Sequence, residues 1–447
     1  MAGDLARRRY LQRHIEPGLP ACPTAVAPWR HVLVIPAYRE SADLLRRLAA
    51  LPTGAGRSLV ILVLNRPDSD PDRSANAELR AAAAGLAVTH TLPGTAVIKA
   101  LNDHTELLVH DLECLLGPIP AARGVGLARK IGCDLAFRWI EAGAVDSEWI
   151  CCTDADAELP ADYFTRLDAA GTAPAAVYPF RHIAAADQAS YRATLLYELR
   201  LHHYVLGLDH AGSPYAGHTL GSCLAVTADS YARVRGFPRR AGAEDFYLLN
   251  KVAKLGAVSR LAGDCIRLRS RASSRVPFGT GPAVDKIRQA IGGTAAAATG
   301  SAALAQFYHP ATFEALRCLL AAVPALRGIP GENLPSHLEQ QLRTRGLPPA
   351  LARACCQTAD AMGLAGALAH CQRQGKSAEQ YLRQFHQWFD AFRTLKFIHG
   401  IRDAGWPLQD LQGLQHLQPQ LWPEAGASGE VAPLLDAVRR HWGWTDR

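Results

Sequence analysis

The hydrophobic pattern divides the chain into two regimes. His31-Val32-Leu33-Val34-Ile35 is apolar without a break, the signature of a strand buried on both faces, and Pro36 is expected to end it. Ser41–Leu51 follows with Leu44, Leu48 and Leu51 on one helical face. Leu59–Leu64 reads as a second buried strand, Ala75–Gly85 as a helix and Val88–Leu92 as a short strand. The pattern then predicts a helix over Gly124–Glu141, a strand over Trp149–Thr153, a helix over Ala161–Ala170 and a strand over Ala175–Phe180. A long aromatic-rich helix over Gln188–Leu208, a strand over Leu220–Val226, a helix over Ala243–Leu255 and a strand-like run over Val258–Leu268 complete this part. Such alternation implies an α/β fold with a Rossmann-like sheet. From about Pro282 the strand-like runs stop and helical periodicity continues to Arg447. Ahead of the sheet, Leu5–His14 reads as a short basic helix, and Pro17, Pro20, Pro23 and Pro28 as a stiff linker. The expected organisation is an arm and linker over 1–30, an α/β domain over 31–283 and a helical domain over 284–447.

Composition narrows the classes. With 49% hydrophobic and 20% charged residues in 447, the chain can bury a large core, which excludes disorder, collagen and low-complexity proteins. The longest uncharged stretch, Ala290–Phe313, is mostly Ala, Gly and Thr, too weakly apolar for a membrane span. Arg7-Arg8-Arg9 has no apolar run behind it, so no signal peptide is expected. Eleven cysteines without a C-x-x-C spacing argue against a zinc knuckle and fit reduced thiols in the cytoplasm. The net charge of +7 is mild for this length and gives no reason to expect nucleic acid as a partner.

The most informative segment is Trp149-Ile150-Cys151-Cys152-Thr153-Asp154-Ala155-Asp156-Ala157-Glu158-Leu159-Pro160. A buried strand ends and two carboxylates follow, one residue apart. In open α/β sheets the ligand site lies outside the carboxyl ends of the strands. Two acids there repel each other unless a cation neutralises them, and hard oxygen ligands suit Mg²⁺ or Mn²⁺ bridging to phosphate. The competing reading is a solvated turn ahead of a helix beginning at Pro160.

Three motifs in order carry a resemblance. Pro36-Ala37-Tyr38-Arg39-Glu40 follows the first strand, Asp154 and Asp156 form a D-x-D, and Glu244-Asp245 opens a helix after Gly242. Over His31–Pro282, more than half of the chain, the sequence resembles the GT-A glycosyltransferases of the large inverting family 2. The resemblance implies a Rossmann-like mixed sheet with flanking helices, followed here by a helical extension. It also implies transfer of a sugar from a nucleotide-sugar donor to an acceptor hydroxyl. Two departures stand out: Arg39 replaces the family's Asn, and the second strand ends in Asn65 where the family usually has an Asp that reads the nucleobase. A side-chain amide both donates and accepts whereas a carboxylate only accepts, so the base, uracil or guanine, is left open. The Gln-x-x-Arg-Trp motif of processive members is missing; Arg138-Trp139 lies before the D-x-D and lacks the Gln.

By this resemblance Pro36, Tyr38 and Glu40 line the nucleoside pocket with Asn65. Asp156 holds the metal, and Asp154 faces the ribose, the metal or a metal-bound water. Gly124-Val125-Gly126 opens a helix whose N–H groups and dipole suit phosphate, with Arg129 adding a charge-assisted contact; close helix packing through small residues is the alternative. Asp245, beside Glu244, is the candidate general base, unless it merely caps its helix. Arg271 and Arg275 are expected to clamp the diphosphate from a loop. Gly221-Ser222 permits close approach of a sugar or simply packs tightly. His202-His203 and His218 are set aside as metal ligands, because adjacent residues on one helix point in different directions. Tyr381, Phe385, Trp388, Phe392 and Leu395 recur at helical spacing and are expected to pack one helix on its neighbours, with nearby basic residues leaving peripheral membrane contact open. The acceptor (saccharide, small molecule or lipid-linked) and any homo-oligomer are left open. Two other classes compete: a phosphohydrolase of the haloacid-dehalogenase type, which wants its D-x-D on the first strand, and an inactive nucleotide-sugar-binding scaffold.

Overall fold

The computed structural model describes residues 2–23, 27–51, 56–93, 96–184, 187–270, 280–292, 307–411, 414 and 431–446. Its chain divides into two units, one of residues 1–191, 219–285 and 443–447, the other of residues 192–218 and 286–442.

The first unit is built on a mixed sheet. Its strands are β1 (His31–Ala37), β2 (Ser58–Leu64), β3 (Val88–Thr91), β4 (Val97–Ala100), β5 (Thr105–Asp111) and β6 (Trp149–Cys152). Further along come β7 (Ala157–Glu158), β8 (Ala175–Val177), β9 (Phe180–Ile183), β10 (Leu224–Thr227), β11 (Ser259–Arg260), β12 (Gly263–Asp264), β13 (Ile266–Arg269) and β14 (Trp444–Thr445). The main sheet runs β11-β8-β10-β6-β1-β2-β5-β4-β3. Its centre, β6-β1-β2-β5, is parallel, and β10 and β4 run antiparallel on either side. A smaller sheet orders β7-β13-β9, and β12 pairs with β14.

Helices α1 (Ala2–Arg13), α2 (Asp43–Ala49), α3 (Ala77–Ala84), α4 (Leu112–Leu116) and α5 (Gly124–Glu141) precede β6. After it come α6 (Gln188–His210), whose residues 192–210 belong to the second unit, then α7 (Ala228–Arg233) and α8 (Glu244–Val252). The fully apolar β1 and β2 are buried because helices cover them. Helix α5 lies so close that a Cβ added at Gly132 would sit 2.5 Å from Val34 Cγ1 and 2.9 Å from Val63 Cγ2. Only glycine permits that approach without displacing the sheet.

Several expectations meet corrections. The strand-like run 258–268 is three short strands, β11, β12 and β13, and the middle one opens at Gly263, whose φ of +98° diverts the chain. The helix expected over 161–170 is a 3₁₀ turn at Thr165–Ala170. Strand β1 continues through Pro36, whose missing N–H is tolerated, to Ala37. The first residues fold onto this unit: Tyr10 and Trp29 are fully buried, and Trp29 stacks on Trp139 at 5.7 Å.

Helix α9 spans Thr280–Gly292, with residues 286–292 in the second unit. Helices α10 (Pro310–Ala322), α11 (Leu334–Thr344), α12 (Pro349–Ala361), α13 (Leu364–Gln374), α14 (Ala378–Trp388) and α15 (Ala391–Asp403) share one apolar core. Tyr381 and Phe385 of the aromatic stripe are inside it, whereas Phe392 is exposed under the Lys396 ammonium. No helix among the described residues is long and apolar enough to cross a membrane.

Candidate functional site

Strand order locates the place to look. From β1 the sheet grows to β2 on one side and to β6 on the other, so the order reverses between the carboxyl ends of β1 and β6. The first of these ends feeds Tyr38-Arg39-Glu40, and the second feeds Thr153-Asp154-Ala155-Asp156. The turn after β6 is pinned on both sides: Thr153 N donates to Val34 O at 3.1 Å and Thr153 Oγ1 to Ser222 O at 2.9 Å.

Arg129 joins the pieces. It is buried on α5, and its guanidinium fork reaches three elements at once. Nη2 donates to Asp154 Oδ1 at 2.9 Å, Nε to Glu244 Oε1 at 3.0 Å and Nη1 to Gly221 O at 2.8 Å. Burial alone would weaken the guanidinium's hold on its proton, but Asp154 and Glu244 more than reverse this and raise its pKa well above the ordinary value. Planar, bidentate geometry makes Arg the fitting residue for such a junction. The close approach requires glycine at position 221, because a Cβ there would lie 2.5 Å from Nη2.

The junction is lopsided. Glu244 is buried, while the Asp154 side chain is 39% exposed and opens to solvent. Asp245 follows Glu244 at the start of α8 and is half-buried. Its Oδ1 accepts from Phe246 N at 2.7 Å. Loss of solvent, then the charge of Glu244, pushes its carboxyl up to about 7. The preceding Ala243 has φ +56°, a left-handed conformation that non-glycine residues adopt at a cost of about 1 kcal/mol or more.

At the N-terminus of α5, the approach expected for phosphate is occupied by protein. Gly126 N donates to Arg240 O at 3.0 Å, and a Cβ at Gly126 would meet the carbonyls of Arg240 and Pro238 at 2.5 and 2.7 Å. Small residues there admit the 238–241 segment.

At the end of β1, Pro36 is buried in the strand and Tyr38 and Glu40 are half-buried. The Tyr38 hydroxyl donates to Asp70, whose carboxylate is also gripped by Arg39 through Nη2 at 2.8 Å. The Tyr38 bond and the Asp72 N–H hold Asp70 down to about 2. Asn65 is buried, with its amide nitrogen donating to Ala37 O at 3.1 Å and Val63 O at 3.3 Å. The amide therefore ties the ends of β1 and β2 together. Asp70 went unnoticed in the sequence; its signal was the alternation Asp68, Asp70, Asp72 in a turn-rich loop after a strand. Arg271 and Arg275 lie outside the described residues.

The carboxylates Asp154 and Asp156 are the local donors for a cation. Among the described residues no group of three or more His, Cys, Asp or Glu side chains is placed to hold a metal ion. Two carboxylates suit Mg²⁺ or Mn²⁺, which complete their shells with phosphate and water oxygens, and do not by themselves make a closed zinc site. His202 and His218 make a buried hydrogen-bonded chain with Glu198: His202 Nδ1 lies 3.0 Å from His218 Nε2, and His202 Nε2 3.4 Å from Glu198 Oε1, while His203 packs edge-on against Phe307 and Phe313.

No family model and no curated protein matches the chain. Among solved structures it is similar to the mannosyltransferase PcManGT from Pyrobaculum calidifontis, determined in complex with GDP-Man and Mn²⁺. The identity is 17% over 90% of this chain and 93% of that one, with a TM-score of 0.34.

Proposed function

We propose that the chain transfers a sugar from a UDP- or GDP-linked donor to an acceptor hydroxyl, metal-assisted and with inversion. The observation that carries this reading is the Arg129 junction. It binds Asp154 of the D-x-D turn to Glu244 at the start of α8, so an open carboxylate and the candidate base Asp245 sit on elements joined by one buried side chain at the sheet's switch point.

Asp154 and Asp156 would hold Mg²⁺ or Mn²⁺, which supplies charge neutralisation for the departing diphosphate. Tyr38, braced by Asp70, and Glu40 border the nucleoside side. Arg129 positions Asp154 and Glu244 and leaves Asp154 facing outward. Asp245 accepts the proton of the acceptor hydroxyl as that oxygen attacks the anomeric carbon. The bond between this carbon and the diphosphate oxygen breaks, and its electron pair leaves with the nucleotide. A carboxyl near 7 suits this work, because it is substantially ionised at neutral pH yet basic enough to take a proton.

The test is a calorimetric titration of UDP and GDP, with and without Mn²⁺, on the wild type and on Asp156→Ala. Metal-dependent binding of one nucleotide, lost in the variant, supports the donor site. Absence of binding to either nucleotide overturns it. A donor and acceptor screen then follows transfer directly.

A further inference from the structure

The small sheet β7-β13-β9 begins directly after the D-x-D, since β7 starts at Ala157. In its parallel pair β9 and β13, Arg181 stands opposite Arg267. Like charges facing each other across a strand pair repel. One carboxylate bridges the pair: Asp446 Oδ2 accepts from Arg181, and Asp446 Oδ1 accepts from Arg267 Nε at 3.1 Å.

Asp446 is held there by its own strand. β14 pairs in parallel with β12, Cys265 N donates to Thr445 O at 2.9 Å, and the Thr445 hydroxyl donates to Asp264. Trp444 packs on the buried Phe180 of β9 with ring centroids 5.5 Å apart. On the other edge of β13, Arg267 pairs in register with Glu158 of β7, and Arg269 Nη2 bonds Glu158 Oε1 at 2.8 Å. Two ion pairs therefore brace β13, Asp446 with Arg267 and Glu158 with Arg269, the second at a residue two places beyond Asp156.

We infer that Asp446 is a positioning residue for the donor site, fixing β13 and, through β7, the turn that presents Asp156. This rests on the donor-site reading above. Asp446 touches no reacting group, so its removal is expected to raise the donor KM and leave kcat unchanged.

The experiment uses the full chain as wild type, Asp446→Asn, Asp446→Glu and the double variant Arg181→Gln/Asp446→Asn. Amide hydrogen exchange of Ile266–Arg269 is measured without ligand, and Mn²⁺-dependent UDP and GDP binding by calorimetry. Asp446→Asn is expected to speed β13 exchange and weaken nucleotide binding by about fivefold, the scale of an exposed ion-pair network. Asp446→Glu should restore both, and the added Arg181→Gln should recover part of the loss by removing the repulsion. Unchanged exchange in Asp446→Asn overturns the inference at its first step. Faster exchange with unchanged nucleotide binding overturns the link to the donor site alone. A wild type that binds neither nucleotide fails the donor reading itself and takes this role with it.

Discussion

Arg129 and Lys130 are neighbours on α5 and carry the same charge, yet they anchor two different clusters. Lys130 Nζ donates to Asp134 Oδ2 at 2.9 Å, and Asp134 also accepts from the hydroxyls of Tyr10 and Tyr231 and from Glu16 N. Every member of that cluster is satisfied by another, and the Asp134 side chain has no exposure at all. Burial outweighs these donors and pushes its carboxyl up, Lys130 opposing. Arg129 is equally buried, but one of its two acids opens to solvent and the other abuts Asp245. A sealed ion cluster can only hold structure together, as the Lys130 cluster holds α1 to α5 and α7. An ion cluster with one open carboxylate can also present charge to a ligand. Burial of the cation does not separate the two roles; exposure of its partners does.

The comparison can be broken from either side. Asp245→Asn should have the largest effect, a loss of about 10²–10⁴-fold in transfer rate with nucleotide affinity unchanged, read from initial rates and calorimetry. Transfer at the wild-type rate would remove Asp245 as base. Asp134→Ala should lower stability by about 3–5 kcal/mol in urea denaturation, because Lys130 is left buried without its carboxylate. Nucleotide affinity of the folded fraction should not move. Gly221→Ala forces a methyl to within 2.5 Å of Arg129 Nη2. It should cost about 1–3 kcal/mol of stability and reduce donor binding at the same time, coupling the two readouts that the Asp134 variant separates. The smallest effect is in pH. As the proposed base Asp245 would have to be ionised, so kcat/KM should rise with pH and level off above about 7. Each unit below that should cost about tenfold, and no such limb should trace to Asp134.

Legibility in the sequence followed burial symmetry. β1, β2 and β6 were readable because strands covered on both faces are apolar throughout. β5 was not, because its Glu106 and His110 interrupt the run. Glu106 is tolerated inside since Trp29 Nε1 donates to it at 2.6 Å and Arg57 pairs with it. Those partners come from 77 and 49 residues away, beyond the reach of any local pattern. The site shows the same division. The D-x-D and Glu244-Asp245 announce themselves as acids at element boundaries. That Arg129 joins them, and that Asn65 turns its amide back onto β1, depends on how α5 and β2 lie against the rest, which no spacing records.

The pairing of β12 with β14 has a consequence for synthesis. On the ribosome the first unit's sheet is translated early, but its last strand emerges only after the whole of residues 286–442. At about 5–20 residues per second that interval is roughly eight to thirty seconds. Throughout it the Asp446 carboxylate that bridges Arg181 and Arg267 is absent, and β12 lacks the β14 strand that pairs with it. A nascent chain in that window carries every strand of the main sheet but not the strand that closes the β12 edge, and an open edge is a template for pairing with other chains until synthesis reaches residue 445.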